Sequence, residues 1–537
     1  MRSFDFIIVG SGSAGSVVAN RLSENGRYSV LVLEAGGSDR RFFIAMPLGY
    51  GKTFYDQSVN WMYRAEPDPG LAGNADYWPR GKVLGGSSSI NAMVYVRGAR
   101  EDFDDWRDRG NPGWGAADVW PIFKALEDHD GPSDTLGRGG PLHVSDCSKL
   151  FHPLANKLII AAQEAGLAHN PDFNGASQEG VGAFQLTTKG GRRMSAARAF
   201  LRPAMKRPNV TVLTGAMVTR ILFEGKRAVG VAFTRNGRSE TVKAGREVIL
   251  SGGSVNTPQL LEISGIGDPA RLSQLGIDVV YANPNVGENL QDHLGINYTY
   301  RANVPSLNQV LRPWWGKAIA GIEYLLLRTG PLSISMNQGG GFFRTDPSRT
   351  RANMQLYFQA FSTIVPKNGE RPILTPDPWP GFSIGLSNCR PTSTGSIHIR
   401  SVDPMQAPQI VANAFSTEHD VAEMLDAVKF LRKVAATPTM SKLIVEELLP
   451  GPLCRSDEEL IADFRKRSGT VYHPVSTCRM GPDPAQSVVD PRLKVHGVDG
   501  LRIIDCSIFP NIISGNTNAA AMMVGAKGAA LVIEDLQ

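Results

Sequence analysis

Phe4 to Val9 is a short, nearly unbroken apolar run, the pattern of a strand covered on both faces. It stops at Gly10-Ser11-Gly12-Ser13-Ala14-Gly15, after which Ala14, Val17, Val18 and Leu22 recur at helical spacing. A second apolar run, Tyr28 to Leu33, ends in Glu34. The order is strand, glycine turn, helix, strand, acid. A related pattern returns at Val248-Ile249-Leu250-Ser251-Gly252-Gly253, with a helix expected to start at Asn256-Thr257-Pro258-Gln259-Leu260-Leu261. At the chain end a small-residue helix is expected from about Asn518 through Met522, Met523 and Val524 to Leu531. The middle of the chain reads differently, with turn residues, aromatics and period-2 stretches such as Gly395 to Arg400. Its longest apolar stretch, Ala318 to Leu327, carries Glu323 and is too short for a bilayer span of about twenty apolar residues. The fold class these patterns predict is α/β, with a sheet-rich α+β part between the nucleotide-type segments.

The first turn has the chemistry of dinucleotide binding. Gly10 permits the tight turn, Gly12 lets a pyrophosphate approach the backbone, and Gly15 lets helix and strand pack closely. The helix N-terminus then faces the negative charge. Glu34, about twenty residues on, can accept hydrogen bonds from a ribose diol. NAD and FAD use the same turn, so the motif leaves that choice open.

Composition narrows the class further. A chain of 537 residues with 42% hydrophobic and 20% charged residues is a globular protein of two or three domains. The formal charge of +5 implies no strongly basic surface, and the basic stretch Arg192 to Arg207 is read as a solvated helix face or a sheet-to-helix corner. No nucleic-acid partner is expected. Cys147, Cys389, Cys454, Cys478 and Cys506 are odd in number and scattered, with neither a metal-ligand spacing nor a disulfide framework. They read as reduced thiols of a cytoplasmic protein. The N-terminus runs straight into the first strand, and no signal peptide is expected.

Three further segments break the choice of cofactor. They are Gly81-Lys82-Val83-Leu84-Gly85-Gly86-Ser87-Ser88-Ser89-Ile90-Asn91, the turn around Ser254 to Gly267, and the pair Tyr472-His473-Pro474 and Gly515-Asn516-Thr517-Asn518. With Gly191 to Ala197 and Val286 to His293, they resemble the glucose-methanol-choline (GMC) family of flavoprotein oxidoreductases, in its choline-dehydrogenase-like branch. The resemblance runs from residue 4 to about residue 532.

It implies a Rossmann-like FAD domain built from residues 1–146, 209–298 and 487–537, interleaved with an antiparallel-sheet substrate domain from 147–208 and 299–486. By resemblance Ser13, Ala14 and Ala35 join Gly10, Gly12, Gly15 and Glu34 along the dinucleotide. Gly85, Gly86, Ser87 and Asn91 lie along pyrophosphate and ring, Val94 beside the ring, and Val218 offers its backbone to the adenine. Asp505 and Thr517 belong to the same site. Some members attach FAD through a histidine in the glycine-serine loop; Ile90 stands in its place here, which implies a non-covalent cofactor. Cys506 replaces a small residue, as a packing substitute or as a thiol near the cofactor.

The resemblance makes His473 the base that takes the alcohol proton, a role suited to a neutral imidazole. Asn516 matches the position that holds the substrate oxygen; Asn518 is the competing candidate, with one of the two capping the helix that follows. That helix either stabilises charge on the reduced flavin through its N-terminus or simply packs on the nucleotide sheet. The expected reaction is oxidation of a primary alcohol, with a quinone, a cytochrome or O2 as electron acceptor. Dehydrogenase is favoured over oxidase, and a redox-silent cyanohydrin lyase remains the alternative. Val471 is a residue that could line the approach of O2. Trp314, Trp315, Trp379, Tyr357, Phe358 and Phe361 are available to a substrate pocket. No metal site is expected, a peripheral membrane contact is left open, and the oligomeric state is not readable.

Overall fold

The computed structural model describes residues 3–131, 135–364 and 375–537. Its first sheet has a parallel part in the spatial order Val210–Thr214, Val30–Glu34, Ser3–Val9, Arg238–Leu250, Leu501–Ile503. Phe6, Ile7 and Ile8 are fully buried because helices cover both faces, which is why this strand reads as a continuous apolar run. The long strand Arg238–Leu250 changes partners along its length. Its first half pairs antiparallel with Arg227–Arg235, which pairs in turn with Ala216–Glu224, and its second half joins the parallel part.

Two helices fix the nucleotide end. Ser13–Leu22 follows the first glycine turn, and Asn518–Glu534 lies against it. Their close approach depends on Gly525, where a Cβ would stand 2.7 Å from the Ala14 carbonyl oxygen. The hydroxyl of Ser13 donates to Asn518 Oδ1 at 2.7 Å and joins the two N-termini.

The helix expected from Asn256 begins earlier and spans Gly253–Ile263, so Pro258 sits in its interior. Proline removes an N–H and leaves the carbonyl one turn back without its helical partner. Here the Thr477 hydroxyl donates to that Ser254 carbonyl at 2.7 Å, and the Ser254 hydroxyl donates to the Pro474 carbonyl at 2.7 Å. The proline thus creates the joint between this helix and the segment that carries His473.

The second sheet is antiparallel, ordered Ile444–Leu449, Leu294–Ala302, Gly381–Asn388, Met354–Gln359, Asn337–Phe343, Gly180–Ala183, with Gly469–Thr470 pairing the start of Leu294–Ala302. The strand Leu294–Ala302 runs through the domain boundary expected after residue 298. Period-2 alternation divides its faces. Met354, Leu356 and Phe358 enter a core with Leu158, Met424 and Val428 of the helices behind the sheet. Tyr357 and Gln359 face a large cavity between the two sheets.

Candidate functional site

The cavity has a volume of about 1960 Å³. Small-ligand pockets measure roughly 300–1,000 Å³, so there is room for a dinucleotide and a second molecule. One end is lined by Glu34, Ala35 and Val218, the middle by Gly10, Gly12, Ser13, Ala14, Gly86 and Ser87, and the other end by Asn91, Val94, His473 and Asn516.

The middle is built for an anion. Neither Ser13–Leu22 nor Asn518–Glu534 has a side-chain N-cap, and their linked N-termini turn toward the cavity. The first N–H groups of a helix lack intrahelical partners and carry the positive end of its dipole. A Cβ on Gly12 would meet nothing within 4 Å, while one on Gly86 would stand 2.7 Å from the Gly12 Cα, so the two loops stack and leave the Gly12 face open. Gly15 and Gly85 do not line the cavity. A Cβ on Gly15 would lie 2.1 Å from the Gly10 carbonyl, and Gly85 takes φ +88° against Ser89 and Ala197. These two shape the site from behind.

Glu34 accepts from the Ser11 N–H at 3.0 Å, the Ser11 hydroxyl at 2.7 Å and the Gly36 N–H at 2.8 Å. A carboxylate has about four acceptor sites, which leaves one for a ribose hydroxyl. At Val218 the pairing register with Arg227–Arg235 shifts, and a bulge of this kind frees backbone groups from the ladder. Asp505 is committed to the protein: it accepts from Gly253 N–H at 2.8 Å, Thr257 hydroxyl at 2.6 Å and Ser507 N–H at 2.8 Å. Thr517 is the N-cap residue of the last helix. The geometry and donor set fit a dinucleotide.

At the other end a chain of hydrogen bonds orders five side chains. The Cys389 carbonyl can only accept, so His293 donates Nε2–H to it at 3.0 Å. Burial holds His293 down to about 4, and the neutral ring has no second proton. Its Nδ1 is therefore an acceptor for His473 Nδ1–H at 3.0 Å. That leaves His473 Nε2 as a lone pair, which accepts from Asn516 Nδ2–H at 3.2 Å. Asn516 is oriented by Gln355, whose Nε2–H donates to Asn516 Oδ1 at 3.1 Å while the Tyr357 hydroxyl donates to Gln355 Oε1 at 2.7 Å. Burial, with His293 and the Arg80 charge adding to it, holds His473 well below the ordinary histidine value. The ring is thus neutral at physiological pH.

Behind the imidazole, the His473 N–H donates to Asp292 Oδ1 at 2.8 Å and the Thr470 hydroxyl donates to Asp292 Oδ2. Burial pushes Asp292 up to about 7 and its neighbour Asp76 up to about 6. Tyr472, at φ +72°, is held there by its own N–H to Thr470 Oγ1 at 2.8 Å and by Arg80 on its carbonyl at 2.7 Å. A non-glycine residue in this region is strained, and the contacts fix how His473 enters the cavity.

Several expectations resolve here. Asn516, not Asn518, meets His473, and Asn518 bonds Ser13 instead of capping. Ile90 and Val471 line the cavity. Cys506 lines it too, and burial pushes its thiol up, so it is not poised as a thiolate. Tyr357 and Phe361 face the cavity, but Phe358 is core, Trp379 lies beside Arg301, and Trp314 and Trp315 stand on the outer surface. Reading by sequence passed over His293, Asp292, Gln355 and Arg193. The buried Arg193 clamps the glycine-serine loop through the Ser88 carbonyl at 3.2 Å and Asn91 Oδ1 at 2.7 Å. The signal for His293, Asp292 and Arg193 lay in Gln291-Asp292-His293 and Gly191-Arg192-Arg193, segments noted for resemblance without roles, whereas Gln355 carried none. No His, Cys, Asp or Glu cluster that could hold a metal occurs among the described residues.

The family models described as GMC oxidoreductase match residues 4–295 and 391–525. An alcohol dehydrogenase [acceptor] of Pseudomonas putida is 42% identical over 99% of this chain and 96% of its own. An oxygen-dependent choline dehydrogenase of Sinorhizobium medicae is 41% identical over 98% and 94%. Among solved structures, pyridoxine 4-oxidase from Mesorbium loti superposes with a TM-score of 0.89 at 30% identity over 99% of both chains. The chain belongs to the GMC oxidoreductase family, and it is an FAD-dependent oxidoreductase that oxidises alcohols at their CH–OH carbon.

Proposed function

We propose that this GMC oxidoreductase oxidises a neutral primary alcohol to its aldehyde, with His473 Nε2 as general base and Asn516 holding the substrate oxygen. The observation that carries the reading is the placement of His473 Nε2, 3.2 Å from the Asn516 amide, with both side chains lining the cavity. FAD, when bound, supplies the two-electron acceptor for the hydride that leaves the carbinol carbon. Loss of hydride alone would leave a protonated carbonyl, so the hydroxyl proton departs with it or before it. His473 takes that proton at Nε2, while Asn516 Nδ2–H donates to the oxygen as its negative charge grows. An amide cannot act as a base at neutral pH, which divides the two roles.

A neutral substrate is supported by how the carboxylates along the cavity are used among the described residues. Asp463 is paired with Arg467 at 2.5 Å, Asp76 accepts from the Thr470 and Tyr77 N–H groups, Asp505 is taken up by Gly253, Thr257 and Ser507, and Glu34 lies at the nucleotide end. A quaternary ammonium asks for aromatic faces together with a free anion. The dehydrogenase reading, with a quinone or cytochrome as acceptor, draws support from the Pseudomonas putida relative, named for an acceptor. Ile90 offers no nucleophile to the cofactor, in keeping with non-covalent FAD. Ser13, Ala14, Ala35, Gly86, Ser87, Asn91, Val94 and Val218 are assigned to holding it, and the five-segment division of the chain is retained with its third boundary moved to Leu294.

The test is anaerobic mixing of the holoenzyme with medium-chain, benzyl and polyether alcohols, choline and mandelonitrile. Bleaching by a neutral alcohol, slow recolouring in air, and a yellow supernatant after trichloroacetic acid are expected. Choline alone bleaching the flavin would overturn the neutral substrate. Cleavage of mandelonitrile without bleaching would overturn the redox reading. His473→Ala is expected to slow flavin reduction roughly 10²–10⁴-fold with FAD still bound.

A further inference from the structure

The helix Trp314–Leu327 is built inside out. It rests on the protein through Gly316, Ala320 and Tyr324, its small residues and one ring, and turns its largest apolar side chains to solvent. Trp314, Trp315, Ile319, Ile322, Leu325 and Leu326 are 54–80% exposed. At about 100° per residue they fall, with Ala318, inside one arc of roughly 140°, and no charged, amide or hydroxyl side chain interrupts it. An ordinary surface helix buries this face. Phe42 extends the patch beyond the helix: it is 50% exposed and packs edge-on against Tyr324, ring centroids 6.3 Å apart.

The edges of the patch are cationic. Arg312 and Lys317 are exposed at its N-terminal end. Arg328 lies over the Tyr324 ring at 4.7 Å at the other end, and the hairpin carrying the exposed Arg192 abuts it through Gly191. None of these four cations has a carboxylate within 4 Å among the described residues. The one acid of the helix, Glu323, accepts from Thr329 outside the apolar arc. Leu311, Lys317 and Leu332 also line the cavity, so the patch borders the way in to the site.

We propose that this face docks on the surface of an anionic phospholipid bilayer, with the helix lying in the interface plane. The chemistry matches on three counts. A continuous apolar arc with tryptophan at one end enters the boundary between headgroups and acyl chains, rim cations without a carboxylate partner meet anionic lipid, and the hydrogen-bonding groups on the arc are two indole N–H donors, which suit the headgroup level. A protein interface of ordinary size carries about ten direct hydrogen bonds that set its register, and the side chains of this arc offer only two indole N–H donors. The helix is about 21 Å long, too short to span, and no helix among the described residues is long and apolar enough to cross a membrane. Docking in this way sets the cavity mouth against the lipid.

The experiment is co-sedimentation of the full-length holoenzyme with vesicles of phosphatidylcholine alone or mixed with phosphatidylglycerol, beside light scattering of the free protein. Tryptophan fluorescence is followed with lipids brominated near the headgroup. Binding to the anionic vesicles, quenching by the brominated lipid and at least tenfold weaker binding of Ile322→Glu/Leu326→Glu are expected. That variant should keep its FAD and its activity with a soluble dye acceptor. A wild-type protein that ignores anionic vesicles overturns the proposal, as does a variant that binds them equally well. So does a wild-type dimer that the variant splits without any vesicle binding, which would make the face a contact between two copies. If the double variant loses FAD, Trp314→Ser/Trp315→Ser replaces it, and the wild-type quenching decides independently.

Discussion

The Nδ1 atoms of His293 and His473 are 3.0 Å apart, with the rings nearly perpendicular at 87°. Two facing nitrogens can share only one proton. The Cys389 carbonyl decides which ring carries it, because it claims the only proton of neutral His293 at Nε2. A backbone oxygen just past the strand Gly381–Asn388 thereby sets the free lone pair of His473 through the ring between them.

His293→Phe removes the acceptor for His473 Nδ1–H and lets the proton move to Nε2. Flavin reduction by alcohol is expected to slow by at least tenfold, toward the ~10⁴-fold that a wrong tautomer costs in a serine-protease triad. FAD content should be unchanged. A rate equal to wild type in anaerobic stopped flow would remove His293 from the positioning of the base.

Gln355 fixes which end of the Asn516 amide faces His473. Gln355→Leu frees that amide to rotate and leaves the Tyr357 hydroxyl with Ser387 Oγ at 3.4 Å. A misplaced group near the reacting atoms costs up to about 10²-fold, so a ten- to hundredfold loss in kcat is expected with a smaller change in KM. A pure KM effect would assign Gln355 to substrate binding instead.

Asp292 carries its proton up to about 7 in the folded protein and releases it near 3.8 when unfolded. Its contribution to stability is therefore present at low pH and lost as pH rises through about 7. Asp292→Asn deletes that loss. Relative to wild type the variant should gain stability between pH 4 and 7 by up to about 1.4 kcal/mol per pH unit. His293 works in the opposite sense, since unfolding lets it bind a proton between pH 6.5 and about 4. Melting curves whose separation does not vary with pH would contradict the assignment.

Arg97 and Glu127 form an ion pair with both side chains fully buried, Arg97 Nε donating to Glu127 Oε1 at 2.7 Å, and the Tyr95 hydroxyl and Gly137 N–H also donate to Glu127. Arg97→Met leaves the carboxylate uncompensated and is expected to cost about 3–5 kcal/mol. Arg97→Met/Glu127→Gln should recover part of that loss. Equal melting temperatures for the single and double variants would show that the charge is not what matters.

The nucleotide end was legible because its rules are local. Phe6 to Val9 is apolar throughout since both faces are covered, Gly10 takes φ +98°, and Gly15 has the Gly10 carbonyl where a Cβ would be. These constraints act on residues close in the chain, and each leaves a mark on its own position. The start of the helix at Gly253 was missed because proline inside a helix contradicts local preference, and the compensating hydroxyl of Thr477 comes from 223 residues away.

Trp314 and Trp315 show the limit in the other direction. An aromatic pair at the start of an apolar helix has the same sequence whether it faces a pocket, a core or solvent, and only the seat formed by Gly316, Ala320 and Tyr324 turns it outward.

By itself the sequence determined the dinucleotide turn, the α/β class and, through its resemblance to a family, the residues around which the chemistry would be arranged. The tertiary structure alone decided that His473 meets His293 across 180 positions and Asn516 across 43, that Gln355 aims the amide, and that one helix wears its apolar face outside. Backbone periodicity is written in neighbouring residues, whereas a proton's place on an imidazole depends on which acceptor the fold brings within 3 Å.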